Sequence, residues 1–369
     1  MEYKMQLTSA QKDILDGKEG EVKAKVMKTL VLFGDIFGAT KLVPVTHKQG
    51  HLVTSFGIGL LKPLFRTMDE LIAAGLCAEG KFTVDPRPVD YANVKCNLLE
   101  KLVFDKFMYS EQTRYEQQLA KVGLRDKNAF TCTCYLPETG NVPKKGDVLS
   151  WAESSAVVYA NSVLGARCNR NSGMLDLFGS IVGYVPYFGL LTDEGRKATW
   201  KVYVRTTRKP EAQVLGSAIG MKVMEDVPYV YGLDRFIGTE LNDDAVAYLK
   251  DFGAATASNG AVGLYHIDKL TPRLFATLWR KAEYGGCARC DADNGTVFLH
   301  LLQQIPCRKV AVIFFIAGVN RRAARLQAER STVMETFLLL LGKAVAFTFE
   351  GIDMYRNRVG DVFHLSESI

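Results

Sequence analysis

Hydrophobic and polar positions along this chain change period repeatedly, from helical spacing to strand-like alternation and back. Leu7–Gly17 carries a helix start at Thr8 or Ser9 and a glycine stop at Gly17, and Val22, Val26 and Leu30 recur at helical spacing in the segment that follows. A short β-rich run, Lys41–Thr46, ends at His47 and gives way to glycine-containing sequence and a second helical stretch around Leu60–Ala74. Phe82–Val84 reads as a strand and Asn97–Val122 as largely helical, while Phe130, Cys132, Cys134 and Leu136 alternate with Thr131, Thr133 and Tyr135 as a strand would. Glu153–Leu164 is predicted as a helix closed by Gly165, with Ala156, Ala160 and Ser162 small enough to let another backbone approach closely. Ala198–Thr207 alternates as a strand, Asp243–Phe252 is helical, and Gly253–Asp268 is a small-residue segment running into the β-like Val262–Ile267. There is no internal repeat, and the alternation of elements predicts a layered α/β domain.

Composition adds bounds. A chain of 369 residues, 48% apolar and 23% charged, is long enough for two or three domains and needs no staples to bury a core. The formal net charge of +6 is a slight imbalance that suits anionic small molecules as well as it suits nothing in particular. It does not argue for nucleic acid, because neither a basic stripe nor an aromatic RNP-like motif is present and the Arg321–Arg322 to Arg330 cluster reads as a solvated helix face. The start, MEYKMQLTSAQ, has no apolar signal region, and the longest apolar runs, Val310–Val319 and Thr336–Leu341, are well short of a membrane span, so a cytoplasmic protein is expected. Eight cysteines (Cys77, Cys96, Cys132, Cys134, Cys168, Cys287, Cys290 and Cys307) are then expected as thiols or metal ligands rather than disulfides.

The densest set of unusual polar residues lies between Phe130 and Arg170, in FTCTCYLPETG and LSWAESSAVVYANSVLGARCNRNSG. Its residue types match what a hydro-lyase needs. A thiolate such as Cys132 can ligate an iron–sulfur cluster whose open iron acts as a Lewis acid on a leaving hydroxyl, and Glu153 and Ser154 can handle protons. Arg167 and Arg170, set around Asn169, offer forked donors for a carboxylate or phosphate. The competing reading of the same residues is packing and surface salt bridges. Elsewhere, Gly34–Gly38 lacks the spacing of a phosphate loop and reads as a helix-to-strand turn. LPETG at 136–140 matches a sortase signal in letters only, His266 reads as a core histidine, and His47, at a strand end, is a catalytic candidate on the rule that α/β sites form there.

The string WAESSAVVYANSVLGARCNR closely resembles the signature of the aconitase X catalytic domain, in which an ESSAV…ANSvlGARtNR segment follows a TCxPYL strand; here Cys134 stands where that pattern has proline. The resemblance extends to His47 with Gly50 (a His-x-x-Gly loop), to FTVDPRPVD at 82–90, to LGSAIG at 215–220, to VPYVYGL at 227–233 and to LKDFGAATASNGAVGLYHIDKLTP at 249–272. It implies an aconitase-like multi-layer α/β/α core and an iron–sulfur cluster, either 2Fe-2S or 4Fe-4S, with Cys132 as a ligand. A separately encoded small swivel-domain subunit is implied as partner. Glu153 and Ser154 match substrate-contacting positions, Gly50, His51 and Leu52 would form a first binding loop, and Asp85 and Pro86 a second, with aspartate replacing the family's asparagine. The implied activity is dehydration of a small hydroxylated acid, with cis-3-hydroxy-L-proline slightly preferred and phosphomevalonate, or an inactive relative, as alternatives.

The match stops after about Pro272. Arg273 follows where the family continues with glutamate, and neither its GCPH loop nor its later cysteine is present, although Val310–Val319 keeps the apolar character of the strand before that loop. Residues 1–275 are therefore read as the aconitase X catalytic domain and 276–369 as an α/β segment that is divergent or frameshifted. Cys287 and Cys290 have the spacing of a zinc knuckle, but a zinc site ordinarily shows a second such pair, so free thiols are the stronger reading.

Overall fold

Thr8 starts the first helix as its sequence predicts. Its hydroxyl accepts the Gln11 N–H at 3.3 Å, and the Gln11 carboxamide accepts the Thr8 N–H at 3.0 Å, a reciprocal cap that begins α1 (Ser9–Leu15). The computed structural model describes residues 3–53, 58, 61–87, 97–126, 129–272 and 310–314. The chain continues through α2 (Glu21–Ile36), β1 (Leu42–Pro44), β2 (Gln49–Leu52), α3 (Lys62–Ala73) and β3 (Gly80–Val84). Next come α4 (Leu98–Glu100), which widens into a π-helical stretch at Lys101–Met108, then α5 (Gln112–Val122) and α6 (Ser154–Tyr159), itself continued by wider turns at Ala160–Leu164. Gly165, at φ 71°, closes that helix in the left-handed conformation expected of a glycine stop. Then follow α7 (Gly173–Val182), β4 (Tyr184–Pro186), β5 (Trp200–Arg205), α8 (Ala212–Val223), β6 (Pro228–Tyr231), α9 (Asp234–Ile237), α10 (Asp243–Gly260), β7 (His266–Ile267) and β8 (Val310–Phe314).

The fold is α/β in layers. β1 and β4 pair antiparallel, β2 and β3 pair parallel, and a four-stranded parallel sheet runs in the order β7-β6-β5-β8. One hydrophobic cluster joins α1, α2, α3, α5 and α7 to β2 and β3 through Met27, Leu30, Phe65, Met68, Phe82 and Leu119. A second joins α6, α8 and α10 to β5 and β6 through Val157, Val202, Leu215, Ile219, Val230 and Phe252. Trp151, fully buried, belongs to the second and sits edge-on to His51 of β2, at 5.9 Å between ring centroids.

Three elements differ from the sequence reading. Phe130–Leu136 is not a strand. Phe130 bridges Val84 once, after which the Thr131 hydroxyl takes the Thr133 N–H at 3.1 Å and the Leu136 N–H returns to the Thr133 carbonyl. Threonine hydroxyls that bond locally compete with a ladder, and Pro137 then lacks the N–H that would resume one. Gly50, His51 and Leu52 form a strand rather than a loop, held on one side by β3 and on the other by Trp151, whose indole N–H donates to the Gln49 carbonyl at 2.8 Å. The helix from Asp243 runs on to Gly260 because its small residues are where α8 crosses it. A Cβ on Gly260 would lie 1.8 Å from the Gly220 carbonyl oxygen, so only glycine permits that approach.

Asp176 of α7 is buried beneath this frame. Ser150 Oγ lies 3.3 Å from Asp176 Oδ1, and burial, opposed by hydrogen bonds from Asn171 and Ser150, pushes the carboxyl well above the usual carboxylate range. A folded pKa raised above the unfolded one gives stability that is complete below the unfolded pKa and lost as pH rises through the folded value. Thermal melts should therefore show wild type losing stability above the acid range, with Asp176→Asn melting higher than wild type at about pH 8 and equal to it near pH 4. The difference should be a few degrees, at roughly 2–4 °C per kcal/mol for a chain of this size.

Candidate active site

Parallel strands leave their carboxyl ends open for side chains from the following loops. β2 and β3 do so here: His51 lies near the end of β2, and Asp85 directly follows β3, its N–H donating to the Leu52 carbonyl at 3.0 Å. Trp151 bridges His51 in parallel, and two residues later Glu153 caps α6. One donor atom from each of His51, Asp85 and Glu153 lies within 4.8 Å of the others.

Glu153 reaches this point at a conformational cost. Its φ of 100° and ψ of 124° lie in a region that side-chain-bearing residues avoid, at about 1–3 kcal/mol. Its carboxylate collects the compensation: Oε1 accepts Ser155 N–H at 2.8 Å and, at 3.4 Å, the Ser154 hydroxyl, and Oε2 accepts Ala156 N–H and the Ser155 hydroxyl, both at 2.6 Å. Hydrogen bonds to a charged group contribute about 1.5–3 kcal/mol each, so the strained backbone is outweighed and the carboxylate is held rigidly.

His51 is fixed from behind. Its Nδ1 is 2.9 Å from Thr83 Oγ1, and Asn141 donates from Nδ2 to Thr83 Oγ1 at 3.0 Å and to the Gly50 carbonyl at 3.1 Å. The Gly50 carbonyl can only accept, which orients the Asn141 amide with Oδ1 toward His47 Nε2, 2.7 Å away, so that nitrogen donates. His47 therefore reaches His51 through Asn141 and Thr83 and, edge-on at 6.0 Å between ring centroids, through Trp151, which places it behind His51. His51, Thr83 and Asn141 are all fully buried. The sequence offered no signal for Asn141 or Thr83, since each is a single polar residue in an otherwise ordinary context.

The remaining candidates divide. Cys132 is exposed at the opening; burial first, then the carboxylates of Glu153 and Asp85, push its thiol upward, with Lys250 acting in the opposite direction. Cys134 lies buried within reach of the Thr83 hydroxyl, and Cys168 is buried in the second core cluster, both with thiols raised well above the usual range, chiefly by burial. Arg170 runs along Gly263, where a Cβ would meet its Cδ at 3.3 Å, and Glu153 is the carboxylate that acts on it. Arg167 and Asn169 turn elsewhere. Arg167 donates to the Leu191 carbonyl and the Asp193 carboxylate, and Asn169 donates to the Phe188 carbonyl and accepts Leu190 N–H, so both anchor the 188–193 segment instead of facing the carboxylates. Ser154 stands beside Glu153, Gly50 and Leu52 are buried within β2, and Pro86 is exposed. His266 is buried, with Nε2 3.0 Å from the Arg196 carbonyl, as a core histidine would be.

An iron–sulfur cluster takes about four thiolates or their equivalents. Among the described residues Cys132 is the exposed thiol on which the Glu153 and Asp85 charges act, so these residues supply one ligand and do not complete a cluster. Cys96, Cys287, Cys290 and Cys307, the zinc-knuckle pair among them, lie outside the described residues.

Comparison with known proteins gives consistent matches. The family described as aconitase X first domain matches residues 4–194, and aconitase X second domain matches 178–297. The phosphomevalonate dehydratase large subunit of Thermococcus kodakarensis is 34% identical over 281 residues, covering 76% of this chain and 66% of that protein. The corresponding subunit of Methanocaldococcus jannaschii is 34% identical over 275 residues, 72% of this chain and 64% of its own length. The cis-3-hydroxy-L-proline dehydratase of Hypocrea jecorina is 36% identical over 148 residues, 39% of this chain and 24% of that enzyme. The crystal structure of Thermococcus kodakaraensis aconitase X in its holo form superposes with a TM-score of 0.59 at 32% identity, covering 73% of this chain and 63% of that one. The chain thus spans just under two thirds of the length of the large-subunit relatives it matches. Among the described residues no helix is long and apolar enough to cross a membrane.

The electrostatics at Cys132 can be checked directly. With burial and two carboxylates holding its thiol protonated, iodoacetamide should label Cys132 more slowly than free cysteine near neutral pH, read by peptide mass spectrometry. Asp85→Asn, which removes one of those charges, should speed labelling severalfold.

Proposed function

The chain belongs to the aconitase X family, and on that premise we propose that it is the large, catalytic subunit of a hydro-lyase that removes water from a small hydroxylated carboxylic acid. The observation that carries this reading is the rigidly held Glu153 carboxylate facing His51 and Asp85 at one strand end. Glu153 takes the proton from the carbon next to the substrate's carboxylate, the released electron pair forms the double bond as the C–O bond breaks, and the departing hydroxide is protonated by solvent and leaves as water beside His51 and Asp85. Arg170 holds the substrate's acid group through its forked donors. Strand backbone and Trp151 pack behind His51 and exclude water from that side.

Cys132 is proposed as this segment's single contribution to the family's iron–sulfur cluster, which when bound supplies a Lewis acid to the leaving oxygen. The described donors do not by themselves complete that cluster. A small partner subunit is part of the proposal, supported by relatives that are themselves named large subunits.

Of the two substrates in the relatives' names, phosphomevalonate is the better supported. Those relatives match over 72–76% of the chain, against 39% for the hydroxyproline enzyme, a balance opposite to the slight preference drawn from the motifs. Anaerobic reconstitution of the chain with iron, sulfide and its small subunit should give dehydration of phosphomevalonate followed by product absorbance. Absence of turnover on both phosphomevalonate and cis-3-hydroxy-L-proline would overturn the reading. Arg170→Met should raise KM by roughly ten- to a hundredfold with a smaller change in kcat, as expected for losing a charged hydrogen bond to a bound carboxylate.

A further inference from the structure

His51 is fully buried, yet its Nε2 has no hydrogen-bond partner among the described residues and points at two carboxylates. A buried polar atom left unpaired costs about 1–3 kcal/mol, which marks a place that something else is meant to fill. We propose that, in the absence of substrate, His51 Nε2, Asp85 and Glu153 form a binding site for a single divalent transition-metal ion, separate from any thiolate-held cluster, so that a bound ion and proton transfer by Glu153 exclude one another.

Three features favour this over a plain polar pocket. The first is spacing: ions of this class lie about 2.0–2.2 Å from imidazole and carboxylate donors, which puts two donors on one ion roughly 3.0–3.5 Å apart. His51 Nε2 is already 3.8 Å from Asp85 Oδ1, and all three donors lie within 4.8 Å, so small side-chain rotations close the set. The second is the tautomer. Thr83 Oγ1 receives the Asn141 N–H, and its own hydrogen can go to the Gly50 carbonyl at 3.5 Å or to the Cys134 thiol; this leaves Thr83 to accept from His51 Nδ1–H and Nε2 with a bare lone pair. A metal-ligating histidine is characteristically oriented this way, by donating its other N–H to a fixed acceptor. The third is the donor set. One imidazole and two carboxylates suit ions of the manganese, iron, cobalt and zinc kind rather than magnesium, which keeps its waters, or a sulfur-demanding cluster. Glu153 Oε1 retains capacity, since one of its two hydrogen bonds is the long 3.4 Å contact from Ser154.

The proposal does not depend on dehydratase activity, because binding is read without turnover. The whole chain, stripped of metal under anaerobic conditions, is titrated with Co²⁺ and with Mn²⁺ by calorimetry, and with Co²⁺ by visible absorption. The expected result is one ion per chain, with Co²⁺ bands of nitrogen and oxygen coordination and no thiolate charge-transfer band. Asp85→Asn, which keeps the side chain's shape, should weaken binding by about tenfold or more, Thr83→Val by about 10- to 100-fold, and Cys132→Ser should leave it unchanged. Absence of stoichiometric binding by the folded wild-type chain overturns the site. So does binding that survives in Asp85→Asn but is lost in Cys132→Ser, which would place the ion on the thiol.

Discussion

The carboxylate of Glu153, bound to the first N–H groups of α6, is the interaction on which the rest of the site depends. Its four acceptor contacts hold the residue at a φ of 100° that would otherwise relax. That backbone geometry turns the chain sharply from the Trp151 bridge into α6, so the helix enters the second core cluster while its cap stays at the strand end. The same turn keeps Trp151 and Ala152 paired with β2, Ala152 N–H donating to the His51 carbonyl at 2.8 Å. Loss of the cap would thus loosen both the helix start and the register that delivers His51.

Around that point the packing leaves little freedom. A Cβ on Gly50 would come within 2.8 Å of Ser180 Oγ, so β2 lies tight against α7, and Trp151 closes the other side. α10 packs on both α6 and α8, and the glycine contact between Gly220 and Gly260 brings α8 and α10 close enough to form one layer over the parallel sheet. His51 and Asp85 are carried on or just after strands packed in the first cluster, and Glu153 caps a helix packed in the second, so the candidate site sits where elements of the two clusters come together. Rigid placement of charged groups is what an elimination needs, because reorganisation during proton transfer raises its barrier.

Much of this was legible in the residues. The Thr8 cap, the Gly165 stop and the helical periods around Val26 and Leu30 reflect local chemistry, and local chemistry survives folding. Of the residues proposed for the site, Glu153 and Cys132 stood out by their chemistry, whereas His51 and Asp85 were pointed to only by the motif resemblance. What was not legible depends on partners distant in sequence. Gly50–Leu52 looked like a loop because it includes a glycine and a histidine, and only β3 and Trp151 make it part of strand β2. Phe130–Leu136 alternated correctly but its threonines bond to their own backbone. Arg167 and Asn169 have the right chemistry for an anion, yet the 188–193 segment, which no local pattern announces, claims both. Asn141 and Thr83 matter only through a hydrogen-bond chain spanning 94 residues from His47 to Asn141.

Chemically, the arrangement separates two tasks. In the proposed reaction Glu153 takes a proton from a position fixed by backbone N–H groups, and the hydroxyl departs beside His51 and Asp85, whose donor atoms lie within 4.8 Å of that of Glu153. That division is the central claim. Its most direct test is hydrogen exchange in D₂O, in which the reconstituted enzyme and its Glu153→Gln variant are incubated with substrate under conditions of partial turnover and the recovered substrate is examined by mass spectrometry. Deuterium entering the carbon next to the carboxylate with wild type and not with Glu153→Gln is the predicted result. Equal incorporation by both would contradict it and assign the proton transfer to another group.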